Sequence, residues 1–355
     1  MITSSNQTTE ANGATQAQLD PGHIMEVGMG FWASKALLSA VELELFTHLG
    51  SESLNGEEVG GRLGLHERGI EDFLDALVAL RFLERDEDGY RNTPEAAFFL
   101  DKASPAYIGG MLEMANARLY PFWGDLTEAL RTGKPQNEIK HSGKPVFDEL
   151  YADEARLEQF MNAMAGISAG PFTALAENFD FSRYETLCDV GGATGQLSMI
   201  VAGRHPKLSC TTFDLPAVEP IAKRTIEAAG LSDRVTPVGG DFFTDPLPKA
   251  DVITMGMILH DWNLERTMHL IRSAYEALPE GGAFIVIENL IDDARRENAF
   301  GLLMSLNMLI EFGDAFDYTG ADFDGWCKEA GFEMTEVIPL AGPASAGIAY
   351  KGDRS

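Results

Sequence analysis

A chain of 355 residues, 45% apolar and 23% charged, has ordinary globular composition and is long enough for two domains. That excludes a disordered, fibrous or disulfide-scaffold protein. The net charge of −28 argues against a nucleic-acid partner, which would need clustered Lys and Arg. Cys188, Cys210 and Cys327 have no CxxC spacing, so a zinc ribbon is excluded and buried thiols in a reducing cytoplasm are expected.

In chain order, Met1–Asp20 is polar, lacks basic residues and an apolar core, and reads as a disordered tail rather than a signal or transit peptide. No charge-free apolar run reaches ~18 residues, so no membrane span is expected. From Gly22 the period is helical: Ala33, Leu37, Val41 and Leu45, with Leu38 and Phe46 beside them, predict one long helix with a broad apolar stripe. A short helix over Gly56–Leu63, a turn at Gly64–Leu65 and a second helix over Glu67–Leu80 follow. Strand Phe82–Arg85, an Asp88-Gly89 turn and strand Tyr90–Thr93 complete a winged-helix pattern. Residues 51–100 hold five Arg, no Lys and twelve acids, a net of −7. The second helix itself carries Glu67, Glu71, Asp72 and Asp75. Such a module has no electrostatic footprint for DNA and is expected to pack against another subunit.

Residues 101–180 are again helical and rich in Met and aromatic residues. From Tyr184 seven short apolar runs alternate with polar stretches: ETLCDV, LSCTTFD, RVTPVGGD, DVITMGM, AFIVIEN, FEMTEVIPL and AGIAYKG. They predict a mostly parallel sheet with helices between the first six strands. Only Ala341–Ser345 separates the last two, which predicts an antiparallel hairpin at the end of the sheet.

The first βα turn reads Asp189-Val190-Gly191-Gly192-Ala193-Thr194-Gly195. It has no Lys-Ser/Thr pair, so it is not a P-loop, and it fits GxGxxG poorly. Asp189 before the glycines is badly placed for a pyrophosphate and suits a cationic or amino-bearing ligand. Asp214 ends the second strand, where a carboxylate can accept hydrogen bonds from both hydroxyls of a ribose. The third ends in Gly239-Gly240-Asp241-Phe242-Phe243, an acid with aromatic faces that suits an adenine. Ligands of open α/β sheets bind at these strand ends.

DVGGATG, FDLP, GGDFF and ILHDWN, in that order, resemble the S-adenosylmethionine-dependent O-methyltransferases of the caffeate/acetylserotonin type, with their bacterial polyketide and phenazine relatives. The likeness covers nearly the whole chain after the tail. It implies a class I methyltransferase fold: a Rossmann-like seven-stranded sheet with an antiparallel last strand, plus an N-terminal all-α, winged-helix dimerisation domain. The implied division is a tail (1–20), a dimerisation domain (21–105), a helical linker lining the substrate pocket (106–180) and a catalytic domain (181–355).

The resemblance also implies roles for residues. Gly191, Gly192 and Gly195 would contact the methionine part of S-adenosylmethionine, with Asp189 fixing the turn. Asp214 and Leu215 would lie at the ribose, and Gly240, Asp241, Phe242 and Phe243 at the adenine. Met255 and Gly256 would lie beneath the sulfonium; the family often has Lys where Gly256 stands. Ser168 would reach the cofactor's carboxylate, and S-adenosylhomocysteine would be the product. His260, at the edge of the sheet, would be the general base. Glu288 and Asp317 would flank it, Asp317 standing where the family has Glu, with Glu311 a rival for that second place. A small aromatic or polyketide-like hydroxyl acceptor would lie among Phe122, Phe147, Met161, Met164, Ile167, Met257, Asp261, Met304, Asn307, Met308, Glu311 and Phe312. No metal is expected, because no His follows His269 and no other His pair has ligand spacing. A homodimer in the cytoplasm, without nucleic acid or membrane, completes the expectation. N- or C-methylation, cofactor-assisted decarboxylation or hydroxylation, and a winged-helix DNA-binding regulator are the alternatives.

Overall fold

The computed structural model describes residues 19–87, 89–142 and 154–352. Helix Gly22–Glu42 opens the chain, but the predicted single helix breaks. Glu44 sits at φ 54°, and Leu45–Leu49 forms a separate short helix. Leu45 therefore leaves the predicted stripe and is buried with Phe46, Leu74 and Leu77. Helices Gly56–Leu63 and Glu67–Ala79 form where the pattern placed them, the first closed by a capping box between Asn55 and Glu58. Strands β1 (Leu83–Arg85) and β2 (Tyr90–Asn92) pair antiparallel; Asp88 of the predicted turn lies outside the described residues.

Helix Gly22–Glu42 carries exposed Ile24, Met25, Val27, Phe31 and Trp32. By length and composition it is long and apolar enough to cross a membrane, and only 17% of its apolar window is buried. Glu26 and Lys35 interrupt the run, which is why counting charge-free residues passed over it.

Helices and one π-turn (Ala115–Leu119) lead to the long helix Glu154–Asn178. The seven-stranded sheet follows: β3 (Thr186–Val190), β4 (Ser209–Asp214), β5 (Val235–Gly239), β6 (Val252–Gly256), β7 (Ala283–Glu288), β8 (Met334–Pro339) and β9 (Ser345–Tyr350). Its order is β5-β4-β3-β6-β7-β9-β8. β3 to β7 run parallel, and β9 inserts antiparallel between β7 and β8. One predicted helix is absent. Residues 240–251 join β5 to β6 as a loop, since Pro246 and Pro248 remove backbone donors and Asp245 Oδ2 accepts from Asp241 N.

Both faces of the sheet are covered, so the central strands are apolar throughout. In β7, Phe284 and Val286 join Leu270, Ile271, Phe323 and Phe332 on one face, while Ala283, Ile285 and Ile287 join Leu175, Leu197 and Val201 on the other. β3 feeds its helix toward β4, and the chain later returns to its other side at β6. The turns that leave β3 and β6 thus open side by side at the carboxyl edge, the usual ligand position in such sheets. Phe284 is fully buried, with the Phe332 and Phe323 rings 5.9 and 6.2 Å away. Phe284→Ala is expected to cost about 3–5 kcal/mol in chemical denaturation, with the fold retained.

Candidate active site

The glycine turn after β3 is shaped by its neighbours. A Cβ on Gly192 would fall 2.2 Å from Thr212 Oγ1 and 2.8 Å from Asp189 Oδ2, so the backbone lies directly on both side chains. Asp189 stays beneath the turn: Thr254 Oγ1, on β6, donates to its Oδ1 at 2.8 Å. Burial, opposed by that bond, pushes its carboxyl up to about 7. Ala193 holds the left-handed conformation (φ 47°), and its N–H donates to Asp214 Oδ2 at 2.9 Å. Leu215 N donates to the other Asp214 oxygen at 2.7 Å. Burial raises the Asp214 carboxyl above its ordinary range against these two bonds. Both acids therefore build the turn, and the idea that Asp189 reaches a cationic ligand gives way to a supporting place.

Phe242 lies 4.0 Å from where a Gly191 Cβ would stand. Its ring meets Phe243 edge-on at 4.8 Å, and Phe243 meets Trp262 at 4.7 Å. Asp241 Oδ1 accepts from Phe243 N, and Gly240 fits under the Phe213 ring. Gln196 Oε1, Ser198 Oγ and Thr212 Oγ1, on the flanks of the turn, are buried without partners among the described residues. Close backbone, unpartnered polar atoms, two acids and an aromatic pair fit a ligand with amino acid, ribose and adenine parts.

His260 stands on a short 3-10 turn, Leu259–Asp261, just after β6. Glu288, last in β7, holds that turn: Ile258 N and Leu259 N donate to its Oε1 at 3.2 and 3.0 Å. Asp317 comes from the loop after helix Ala299–Glu311, fixed where Ile291 bridges Thr319. His260 Nδ1 lies 3.3 Å from Asp317 Oδ1 and 4.0 Å from Glu288 Oε2; Nε2 lies 3.4 Å from Asp261 Oδ1. His260, Glu288 and Asp317 are all almost wholly buried.

Burial alone would lower the His260 pKa, but Glu288, Asp261 and Asp317 together lift it to about 10. Glu288 is raised to about 8 and Asp261 to about 6, each chiefly by burial and each opposed by His260. The acids thus favour the charged form of the imidazole, and Asp317 Oδ1 is the nearest acceptor to Nδ1. One atom each from His260, Glu288 and Asp317 lie within 4.8 Å of one another, a grouping that also suits a metal ion. Sequence spacing gave no sign of it, because the three come from separate elements.

Of the expected acceptor residues, Phe122, Met164, Met257, Met304 and Phe312 are partly exposed, and Asn307, Met308 and Glu311 are buried on helix Ala299–Glu311. Met257 holds φ 54°, a strained conformation for a side chain in this position. Ser168 is half-buried on the long helix, and Ile167 is exposed. Two expectations change. Met161 is core: it packs on Leu157, Val218 and Ile221, against Ala193 and Leu215. Met255 is fully buried inside the sheet, so only its backbone can face a cofactor. Phe147 lies outside the described residues.

The sequence reading missed Phe172, whose ring carbon lies 3.0 Å from where a Gly256 Cβ would stand. A Cβ at 256 would press on that ring, which would have to give by a few tenths of an ångström. Thr212, Thr254 and Ile258 were missed as well. Nothing in a linear motif marks them, since each matters only through a neighbouring strand or turn.

An O-methyltransferase domain matches residues 123–333, and an O-methyltransferase dimerisation domain matches residues 25–102. The chain belongs to the S-adenosylmethionine-dependent O-methyltransferases. It is 43% identical over 332 residues to the tetracenomycin polyketide synthesis 8-O-methyl transferase of Streptomyces glaucescens, covering 93% of this chain and 97% of that one. It is 37% identical to an N,N-dimethyltransferase of Streptomyces rimosus, covering 88% and 91%. The crystal structure of human N-acetylserotonin methyltransferase with S-adenosylmethionine is similar at a TM-score of 0.86 and 29% identity, covering 95% of this chain and 99% of that one. The methyltransferase cofactor is S-adenosylmethionine.

Gly192→Ala is expected to weaken S-adenosylmethionine binding at least tenfold by calorimetry and to lower the melting temperature, because the added carbon would collide with the buried Thr212 and Asp189 side chains beneath the turn. In the free enzyme, ¹⁵N-histidine NMR is expected to find His260 protonated at pH 7. Asp317→Asn and Glu288→Gln should each bring its titration down toward the ordinary value near 6.5, since each removes a negative neighbour.

Proposed function

We propose that this enzyme methylates a hydroxyl of a small aromatic, polyketide-like acceptor, with His260 as general base. The observation that carries this reading is the buried His260, oriented by two carboxylates at Nδ1 and standing at the strand edge beside the glycine turn. S-adenosylmethionine, when bound, supplies a methyl group already activated on a sulfonium. Gly191, Gly192, Gly195, Leu215 and Ser168 would hold its amino-acid and ribose parts with Asp214. Gly240, Asp241, Phe242 and Phe243 would hold the adenine, and Gly256 with the Met255 backbone would border the reacting end.

His260 takes the acceptor's proton at Nε2, while Asp317 and Glu288 hold the ring and balance its charge. Glu288, Asp261 and Asp317 together favour the protonated imidazole in the free enzyme, and Asp261, beside Nε2, must give way as the acceptor enters. Phe122, Met164, Met257, Met304, Asn307, Met308 and Phe312 would wall the acceptor. A second reading, methylation at nitrogen, is favoured by the likeness to the N,N-dimethyltransferase.

Homodimerisation through residues 21–105, as a winged-helix module, is supported by the matched dimerisation domain and by the exposed apolar side chains of helix Gly22–Glu42. Three free, buried cysteines agree with a cytoplasmic setting.

Labelled methyl from S-adenosylmethionine is expected to enter a phenol from a panel or cell extract, with NMR of the product showing an O-methyl group; label on nitrogen would favour the second reading. His260→Ala should lower kcat by about 10²–10⁴. Because the free enzyme must lose a proton from His260, kcat/KM should rise with pH from 7 toward the His260 value of about 10. Glu288→Gln should move that rise to lower pH while reducing kcat. Sedimentation should give a dimer, and Phe31→Glu with Trp32→Glu should shift it toward the 38.6 kDa monomer.

A further inference from the structure

On the Nδ1 side of His260, away from the atom that takes the acceptor's proton, stand two carboxylates whose lone pairs are not all occupied. The Ile258 and Leu259 amides take Glu288 Oε1 at 3.2 and 3.0 Å, which leaves Oε2 facing His260 Nδ1 at 4.0 Å. Asp317 Oδ1 faces the same nitrogen at 3.3 Å, and its backbone N–H donates to Ser305 Oγ at 3.2 Å. Glu288 and Asp317 are 1% and 2% exposed. Glu288 Oε2 and Asp317 Oδ2 are both buried without a hydrogen-bond partner among the described residues. A buried carboxylate oxygen with no donor is costly, and two of them around one nitrogen point to something that they share.

One imidazole nitrogen and two carboxylate oxygens suit a borderline divalent ion such as zinc. With bonds of about 2.0–2.1 Å in a four-coordinate site, neighbouring donor atoms stand about 3.3 Å apart. The His260–Asp317 separation is already 3.3 Å, and one atom from each of the three residues lies within 4.8 Å of the others. The two carboxylates, ionised, balance the two charges of the ion. Asp261, 3.4 Å from Nε2 and with its side chain 19% exposed, marks where the cluster meets the surface.

We propose that His260 Nδ1, Glu288 and Asp317 bind a divalent ion of the zinc class, and that this ion shuts the enzyme off. On binding, the proton on Nδ1 and any held by the carboxylates leave for solvent. The Nδ1 lone pair bonds the ion, and the ring keeps its remaining proton on Nε2. Nε2 then donates instead of accepting and cannot take a proton from the acceptor. The ion is in this way an inhibitor and not a cofactor. The shut-off rests on the proposed role of His260 as base, whereas binding of the ion does not.

Chelator-treated enzyme is titrated with Zn²⁺ by calorimetry and with Co²⁺ by visible absorption. One ion per chain is expected, with the melting temperature raised and a cobalt spectrum of nitrogen and oxygen ligands. In ¹⁵N-histidine NMR of the wild type, Zn²⁺ should shift Nδ1 of His260 while its Nε2 stays protonated. Glu288→Gln and Asp317→Asn keep the side-chain shape, and each should weaken binding by about tenfold or more. Zn²⁺ should abolish methyl transfer and a chelator restore it, whereas Mg²⁺, which demands six ligands in an octahedron, should leave the rate unchanged. Absence of binding to the wild type, binding unchanged in both variants, or a shift at another histidine overturns the proposal. The calorimetry and spectra need no turnover, so they decide on the ion even where no methyl is transferred. An ion held at His260 with methyl transfer undiminished overturns the shut-off and counts against Nε2 as the base.

Discussion

One imidazole buried among three carboxylates sets the terms for the catalytic half of this protein. A charged group out of water must be paired, and removing one partner of such a cluster costs about 3–5 kcal/mol. Here the partners come from the turn after β6, the end of β7 and a loop beyond helix Ala299–Glu311. β6 and β7 must therefore hold their register, and the loop must close through the Ile291–Thr319 bridge. Glu288 shows the economy of the arrangement: one oxygen fixes the backbone that carries His260, and the other faces its ring.

The cofactor side follows from the same frame. The sheet reverses its order of addition between β3 and β6, which brings the glycine turn next to the His260 turn. Asp189 and Thr254 tie the two strands just below that edge. Asp214 does the same between β4 and the turn, holding Ala193 in a conformation that a side chain rarely adopts. Acids that looked like ligand contacts are thus first the supports of the ligand's bed.

The third component is the helical region between the terminal module and the sheet. Trp123 and Arg118 reach helix Ala299–Glu311, and Phe172 closes on Gly256. The acceptor space proposed above is accordingly composite, with one wall from the catalytic domain and an aromatic wall from residues far earlier in the chain.

Local pattern was enough for what depends on local pattern. Apolar runs and their spacing placed all seven strands, because a sheet covered on both faces needs continuous apolar strands. The helical pattern and the turn at Gly64–Leu65 placed helices Gly56–Leu63 and Glu67–Ala79. The order DVGGATG, FDLP, GGDFF and ILHDWN carried the family, because a strand-edge site is written as successive strand ends. Tertiary structure alone decided the rest. Glu44 broke a helix whose apolar stripe read as continuous, since Leu45 gains more by turning into the core of the terminal module. Met161 and Met255 have the composition of pocket residues but are packed in the interior, and burial is a property of neighbours that composition does not carry. Phe172 beside Gly256, and the bond from Trp123 to Asn307, arise between segments far apart in the chain, where sequence spacing has no bearing on distance.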